Sequence, residues 1–337
     1  MDERRSAWRL WRAAFEVGGP IGLAAYLFLA GALAAGSASA QYSFLDDDPP
    51  RFEWRSQAET FFRNDFGSKS DGGDEFDAWQ LGVVGEVEGP INESVLVGFR
   101  GGYRYASYDF DLGNPVPLAY EGTALPREPW NPLHTIDLAP SATLLVGSQV
   151  SVITTVPIRW AGEAGADKNG FTAGISALIR WQVNNGLSVG AGIGITSQLE
   201  DEAETFPIIS LRWRISENLE LATEGSWLQG GRAALFWGAS NSIRFSFSAG
   251  YERTRFRLDD HGLGADRNGI GEVTTIPIEI GLRLQFVEEA YFDLRAGLGV
   301  EGRVRVETDG GRKLYDQQYD PTPRVGFSLV IPFGLPN

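Results

Sequence analysis

The chain has 337 residues, no cysteine, 29 basic and 44 acidic side chains, and a formal net charge of −15. A chain this acidic is a poor partner for nucleic acid, and without cysteine it forms no disulfide and carries no thiol for a lipoprotein anchor. Mean hydropathy is slightly negative, −0.16; this argues against a helical membrane protein but not against a strand barrel, half of whose side chains face inward.

Residues 1–40 read as a cleavable export signal. Arg4, Arg5, Arg9 and Arg12 form a basic start, Val17 to Ala40 carries no charge, and Ala38-Ser39-Ala40 fits a small-x-small cleavage site. The rival is a membrane anchor helix, but the apolar core from Ile21 to Ala35 is short for a span of ~20 residues. Arg4-Arg5 is a poor twin-arginine match. Residues 41–50, with Asp46-Asp47-Asp48 and Pro49-Pro50, form an acidic segment that reads either as a flexible tether or as a partial plug. No uncharged run long enough for a transmembrane helix comes after residue 40.

From residue 51 the dominant signal is a period of two, the mark of strands with two unlike faces. In 51–62, Phe52, Trp54, Ala58, Thr60 and Phe62 alternate with Arg51, Glu53, Arg55, Gln57 and Glu59, although Trp54, Ala58, Phe61 and Phe62 also share a helical face. Strands then follow at 78–88, 94–105, 133–146, 149–160 and 170–181. In the last of these Phe171, Ala173, Ile175, Ala177, Ile179 and Trp181 make one face. Further strands are 187–196, 207–215, 219–228, 231–240, 243–256, 274–286, 291–301 and 324–333. The weakest is 231–240, where Phe236 and Trp237 fall on opposite faces.

A soluble sandwich would bury the apolar stripes; an outer-membrane barrel turns them to lipid. Length decides between them. Most runs are about 9–13 residues, close to the ~9–11 that a tilted strand needs to cross a bilayer, whereas soluble strands cluster near 5–6. Aromatics at the stripe ends, among them Trp79, Tyr105, Trp160, Trp181, Trp227, Tyr251 and Phe286, suit interfacial girdles. The connections alternate. Segments 63–77, 106–132, 161–169, 197–206, 257–273 and 302–323 are long; the others are short, and Gln229-Gly230 makes a tight turn where a long loop is due. Short periplasmic turns and long outer loops are the barrel pattern. The expectation is an all-β chain: a single antiparallel transmembrane β-barrel of about 14 strands, or 12 without two marginal segments, spanning 51–333 in the outer membrane.

The chain ends with Val325, Phe327, Leu329, Ile331 and Phe333 on one face, like the terminal strand read by the barrel assembly machinery, except that Gly334-Leu335-Pro336-Asn337 follow the last aromatic. Ile208-Ile209-Ser210-Leu211-Arg212-Trp213 and Ile278-Glu279-Ile280-Gly281-Leu282-Arg283-Leu284, the latter led in by Gly271-Glu272, resemble a family of uncharacterised bacterial proteins. That family is defined only as a domain of unknown function and presumed to form outer-membrane barrels. The resemblance covers roughly the second half of the chain. It implies a barrel and an outer-membrane address, and supplies no catalytic or ligand residues.

Alternation turns Arg100, Arg104, Arg159, Arg180, Arg212, Arg214, Arg244, Arg283 and Arg295 inward, with Glu86, Glu88, Glu220, Glu224, Glu279, Asp293 and Glu301. Opposed arginines and carboxylates around a wet pore make a transverse field that sorts solutes by size and polarity. The same residues could instead pair and close the barrel. Gly190, Gly192 and Gly194 on one inward face are expected to leave room in the lumen. The expected function is therefore a passive, porin-like channel for small hydrophilic solutes; the alternative is a closed structural or binding barrel presenting acidic outer loops. An uptake barrel for apolar molecules would need an apolar path from loop to wall, and the sequence displays none.

No enzyme, cofactor or metal is expected. The two histidines, His134 and His261, have no assignable nucleophile partner. Asp71, Asp74, Glu75 and Asp77, and likewise Glu200, Asp201, Glu202 and Glu204, lack the order of a dedicated Ca²⁺ loop and read as solvated acidic segments. Arg253, Arg255 and Arg257 continue beyond Tyr251 on the lipid side. There they either meet anionic headgroup phosphates or are turned inward by a bulge near Tyr251. The expected partners are outer-membrane lipid, the assembly machinery and small hydrophilic solutes.

Overall fold

The computed structural model describes residues 54–70, 73–111, 129–130, 132–166, 170–226, 230–240, 242–260, 266–287 and 290–333. The leader, the acidic segment and His261 lie outside the described residues.

The strands are β1 Arg55–Lys69, β2 Glu75–Asn92, β3 Val95–Asp111, β4 Leu133–Val146, β5 Val150–Thr155, β6 Ile158–Glu163, β7 Phe171–Asn184 and β8 Leu187–Gln198. They continue as β9 Asp201–Ser216, β10 Leu219–Ser226, β11 Gly230–Ser240, β12 Ile243–Arg257, β13 Ile270–Val287, β14 Ala290–Glu307, β15 Lys313–Tyr319 and β16 Thr322–Pro332. Neighbours in sequence pair antiparallel, and the ring shuts where β1 meets β16, with Gln57 opposite Pro332 and Asp65 opposite Arg324. β5 and β6 are two halves of one stave, each between β4 and β7. Pro157 interrupts them because it has no amide to give the ladder. β15 pairs with β14 alone among the staves. The result is a closed antiparallel barrel of fourteen staves.

The segment 55–69 is strand, not helix, and its odd positions turn inward: Phe61 is buried, while Phe62 stacks outside on Phe327 at 5.5 Å. The apolar stripes point out of the barrel: Ile179 is 59% exposed and Ile280 65%. Serines and charged groups occupy the other face, with Ser176, Ser188, Ser210, Ser248 and Ser328 buried. This polarity is inside-out for a soluble protein and right for a barrel in lipid. The doubtful stave at 231–240 is resolved the same way. Phe236 is buried inside with Ala222 and Ala234, and Trp237 stacks outside on Phe245 at 5.6 Å.

Three expected loops are corrected. Segments 63–77, 197–206 and 302–323 are largely strand, because β1, β2, β9 and β14 run 15 to 18 residues, β8 reaches Gln198 and β15 adds a hairpin. On the long-loop side the ladders continue past the apolar band, where polar side chains leave pairing intact.

A charge placed mid-stripe should reveal which face meets lipid. Ile280→Arg is expected to cost about 2–4 kcal/mol in bilayer-embedded protein, read by denaturant unfolding from vesicles, while Ser248→Ala on the inward face of β12 changes stability by less than about 1 kcal/mol.

Candidate functional site in the barrel interior

Four of the inward arginines pair with carboxylates on the neighbouring stave, since residues opposite each other in an antiparallel ladder share a face. Arg100 on β3 pairs with Glu86 on β2. Arg159 on β6 donates to Asp137 on β4 at 2.7 Å. Arg212 on β9 lies 3.0 Å from Glu220 on β10. Asp293 on β14 accepts from Arg283 Nε at 2.8 Å and from Arg295 Nη2 at 3.0 Å; the Arg283 guanidinium also sits 4.0 Å from the centroid of Tyr291. Arg104 is buried, and Arg180 and Glu88 are half-buried on inward faces. Arg214 and Arg244 are exposed near the short-turn ends of β9 and β12. The Glu224 side chain lies outside the described residues. Glu301 departs from the expected alternation: it is exposed, with φ of 52°. It sits in a bulge between Val300, opposite Ile276, and Arg303, opposite Thr274.

Higher up, the network crosses the lumen, joining Glu279 of the expected inward set to residues outside that set. Arg63 on β1 donates to Glu252 on β12 at 2.7 Å, with β16, β14 and β13 between these staves. Arg324 on β16 holds Asp65 at 2.9 Å and reaches Glu252 at 3.5 Å and Glu279 at 3.8 Å. Arg232 adds a 3.5 Å contact to Glu279. Arg63 and Asp65 take inward parity once β1 is extended past residue 62, whereas Arg232, Glu252 and Arg324 already have it within the expected strands 231–240, 243–256 and 324–333.

The outer end is closed by apolar material. Phe76, Tyr108, Phe110, Trp130, Leu133, Phe256, Leu258, Val304, Val306, Tyr315 and Tyr319 form one cluster. Trp130 is 1% exposed, with Phe110 at 4.9 Å and Phe256 at 5.1 Å, both edge-on. Opposite walls touch here. Arg257 on β12 bridges Gly162 on β6 in parallel, and the Asp259 amide donates to Glu163 at 2.8 Å. Five staves, β7 to β11, lie between β6 and β12 by the shorter way around.

The glycine row does not leave room, as its composition had led us to expect. A Cβ on Gly194 would lie 2.1 Å from the Phe206 ring, and one on Gly192 2.2 Å from the Ala177 carbonyl. Phe206 and Ile208 fill that side together with Ile153 and Leu178. Small residues here admit neighbours' side chains and backbone instead of water.

Arg253, Arg255 and Arg257 are matched by acids. Arg253 donates to Glu272 at 2.8 Å and Glu204 at 2.9 Å. Arg255 donates to Glu307 at 2.9 Å and lies 3.4 Å from Asp201. Arg257 reaches Glu200 at 2.6 Å. Three of the four acids in that segment therefore serve as counter-ions. In the first hairpin Asp74 accepts from the Tyr315 hydroxyl at 2.9 Å, Glu75 lies 3.3 Å from Lys69, and Asp77 accepts from the Gly67 amide; Asp71 lies outside the described residues. His134 points outward, 2.7 Å from the Tyr103 hydroxyl. Among the described residues no group of His, Asp and Glu has metal-binding geometry.

An apolar outer band, a charge-paired interior and closure without an edge define an outer-membrane-type β-barrel. No family model matches the chain, and no curated protein does. Solved structures similar to it are such barrels. An outer membrane channel from Pseudomonas putida F1 has 9% identity over 84% of this chain and 99% of its own, TM-score 0.41. The P. putida toluene transporter TodX has 9% identity over 88% and 95%, TM-score 0.42. The translocator domain of the autotransporter NalP from Neisseria meningitidis has 14% identity over 83% and 89%, TM-score 0.35. The architecture itself is fixed by the chain's own ladders and is the one implied by the sequence resemblance.

Because the Gly194 position is filled by a ring, Gly194→Val should destabilise the barrel by about 1–3 kcal/mol, and adding Phe206→Ala should recover part of that loss in a double-mutant unfolding cycle. Beyond the band, burial works to raise the pKa of Asp316, but hydrogen bonds from Arg303 and Lys313 and the charges of Arg303 and Arg305 outweigh it and hold the carboxyl below 3.8. A depressed folded pKa means stabilisation present at neutral pH and lost as the carboxyl protonates. Amide protection in the β14–β15 hairpin is therefore expected to persist to about pH 4 and to fall below it, with Asp316→Asn removing that step.

Proposed function

We propose that this chain resides in the outer membrane, exported by its leader and inserted by the barrel assembly machinery. There it acts as a passive channel for small hydrophilic solutes, and its outer end is shut in the present state. The observation that carries this reading is the run of ionisable groups along the interior, from the Arg100–Glu86 pair to Arg324 with Asp65 and Glu252. Buried ion pairs add little net stability compared with apolar packing, so an interior that had only to be filled would be served as well by aliphatic side chains. Ordered charge facing a narrow lumen instead favours polar, compact solutes. No catalytic step belongs to the proposal.

The closed binding or structural barrel is the second reading, and the aromatic cluster with the β6–β12 contact favours it. Planar-bilayer recording separates the two. If the cluster is a gate, the wild-type barrel conducts rarely, and Trp130→Ala with Phe256→Ala raises open time about ten-fold or more. If both proteins fold, as shown by heat-modifiable gel migration, and neither conducts, the channel is rejected and the closed barrel stands.

A further inference from the structure

Above the apolar band, the upper ends of β12, β13, β14 and β15 form a flap with two unlike faces. By register, Phe256, Val306 and Tyr315 share one face and belong to the cluster around Trp130. Arg255, Glu272, Arg305 and Asp316 share the other. Arg253 and Arg255 have the parity of Phe245 and Phe247, which are exposed on the lipid side, so the charged face looks outward. The β12 edge of the flap crosses the mouth and pairs Arg257 with Gly162 on β6.

The β8–β9 hairpin lies against the charged face. Glu204 stands 2.9 Å from Arg253, Asp201 3.4 Å from Arg255 and Glu200 2.6 Å from Arg257. Staves β10 and β11 stand between β9 and β12, so these bridges join strands that are not neighbours. The tip of the hairpin is seated. Leu199 is buried. Glu200 has φ of 53°, a left-handed backbone that a residue other than glycine holds where its surroundings fix it. Its carbonyl lies 3.7 Å from where a Cβ on Gly311 would stand, in the turn between β14 and β15.

The bridges fall into two unequal sets. Within the flap, Arg253 is held by Glu272 at 2.8 Å and Arg255 by Glu307 at 2.9 Å, and these two acids are 8% and 12% exposed. The hairpin acids are far more open: Glu204 is 36% exposed, Glu200 43% and Asp201 61%. Salt screens exposed pairs much more than buried ones, and an exposed pair holds weakly by itself. Raised ionic strength therefore acts first on the bridges between hairpin and flap, and leaves the flap's own pairs in place.

We propose that the β8–β9 hairpin is an electrostatic clasp on the flap, so that ionic strength outside the cell sets how firmly the mouth is shut: fastened in dilute medium, released in concentrated salt. The proposal rests on the reading of the outer end as a gate. The clasp itself is read by a distance, whether or not the barrel conducts.

The absence of cysteine permits a pair of spin labels, at Glu202→Cys in the hairpin and Asp309→Cys in the β14–β15 turn, both exposed positions. Double electron–electron resonance is recorded in lipid vesicles as sodium chloride rises from about 0.01 M to about 1 M, which shortens the screening length from about 30 Å to about 3 Å. The clasp predicts one short distance at low salt and a longer, broader population that grows several-fold at high salt. With Glu200→Gln, Asp201→Asn and Glu204→Gln together, the long population should be present at low salt and respond little to more. A distance unchanged by salt overturns the clasp. So does a triple variant that stays short at low salt and lengthens with salt as the parent does, because salt would then be acting elsewhere. The salt titration of the labelled protein with its acids intact stands by itself if the triple variant fails to fold, which heat-modifiable gel migration reports.

Discussion

Every backbone amide and carbonyl at bilayer depth must be satisfied by protein, because hydrocarbon offers no partner and each unmet group costs several kcal/mol. That constraint closes β1 on β16 and lets β5 and β6 share a stave around Pro157. Once the ring is closed, the two-residue period does the rest: one face goes to lipid and the other to the axis.

The interior obeys the same geometry. Residues opposite each other in a ladder share a face, so inward arginines meet inward acids, as in Arg100 with Glu86 and Arg283 with Asp293. Where the staves outrun the membrane the walls lean together. Charges then pair across the lumen, Arg63 with Glu252, and aromatics from β2, β3, β12 and β15 meet in one cluster. Charge at mid-depth and apolar packing at the outer end divide the interior into a charge-paired zone and a buried aromatic cluster.

Much of this was legible in the chain itself. The staves and their number came from alternation and loop lengths, because a strand's side-chain period is fixed by backbone geometry. Phe236 and Trp237 looked contradictory only because each is a large ring; the barrel gives one an inward pocket beside Arg283 and the other a lipid face. The glycine row was misread because the space over a glycine belongs to whatever the next stave projects, and Phe206 comes from that next stave, β9. The hairpins read as loops because polar composition does not distinguish a solvated ladder from a coil.

The sequence by itself determined the class of wall and which side chains face each way, since these depend only on local period and length. Only the tertiary structure decided which interior side chains meet. Cross-lumen partners such as Arg324 and Glu252 and the contact of β6 with β12 arise between staves far apart along the chain. Their proximity is set by ring closure and lean, which no local pattern encodes.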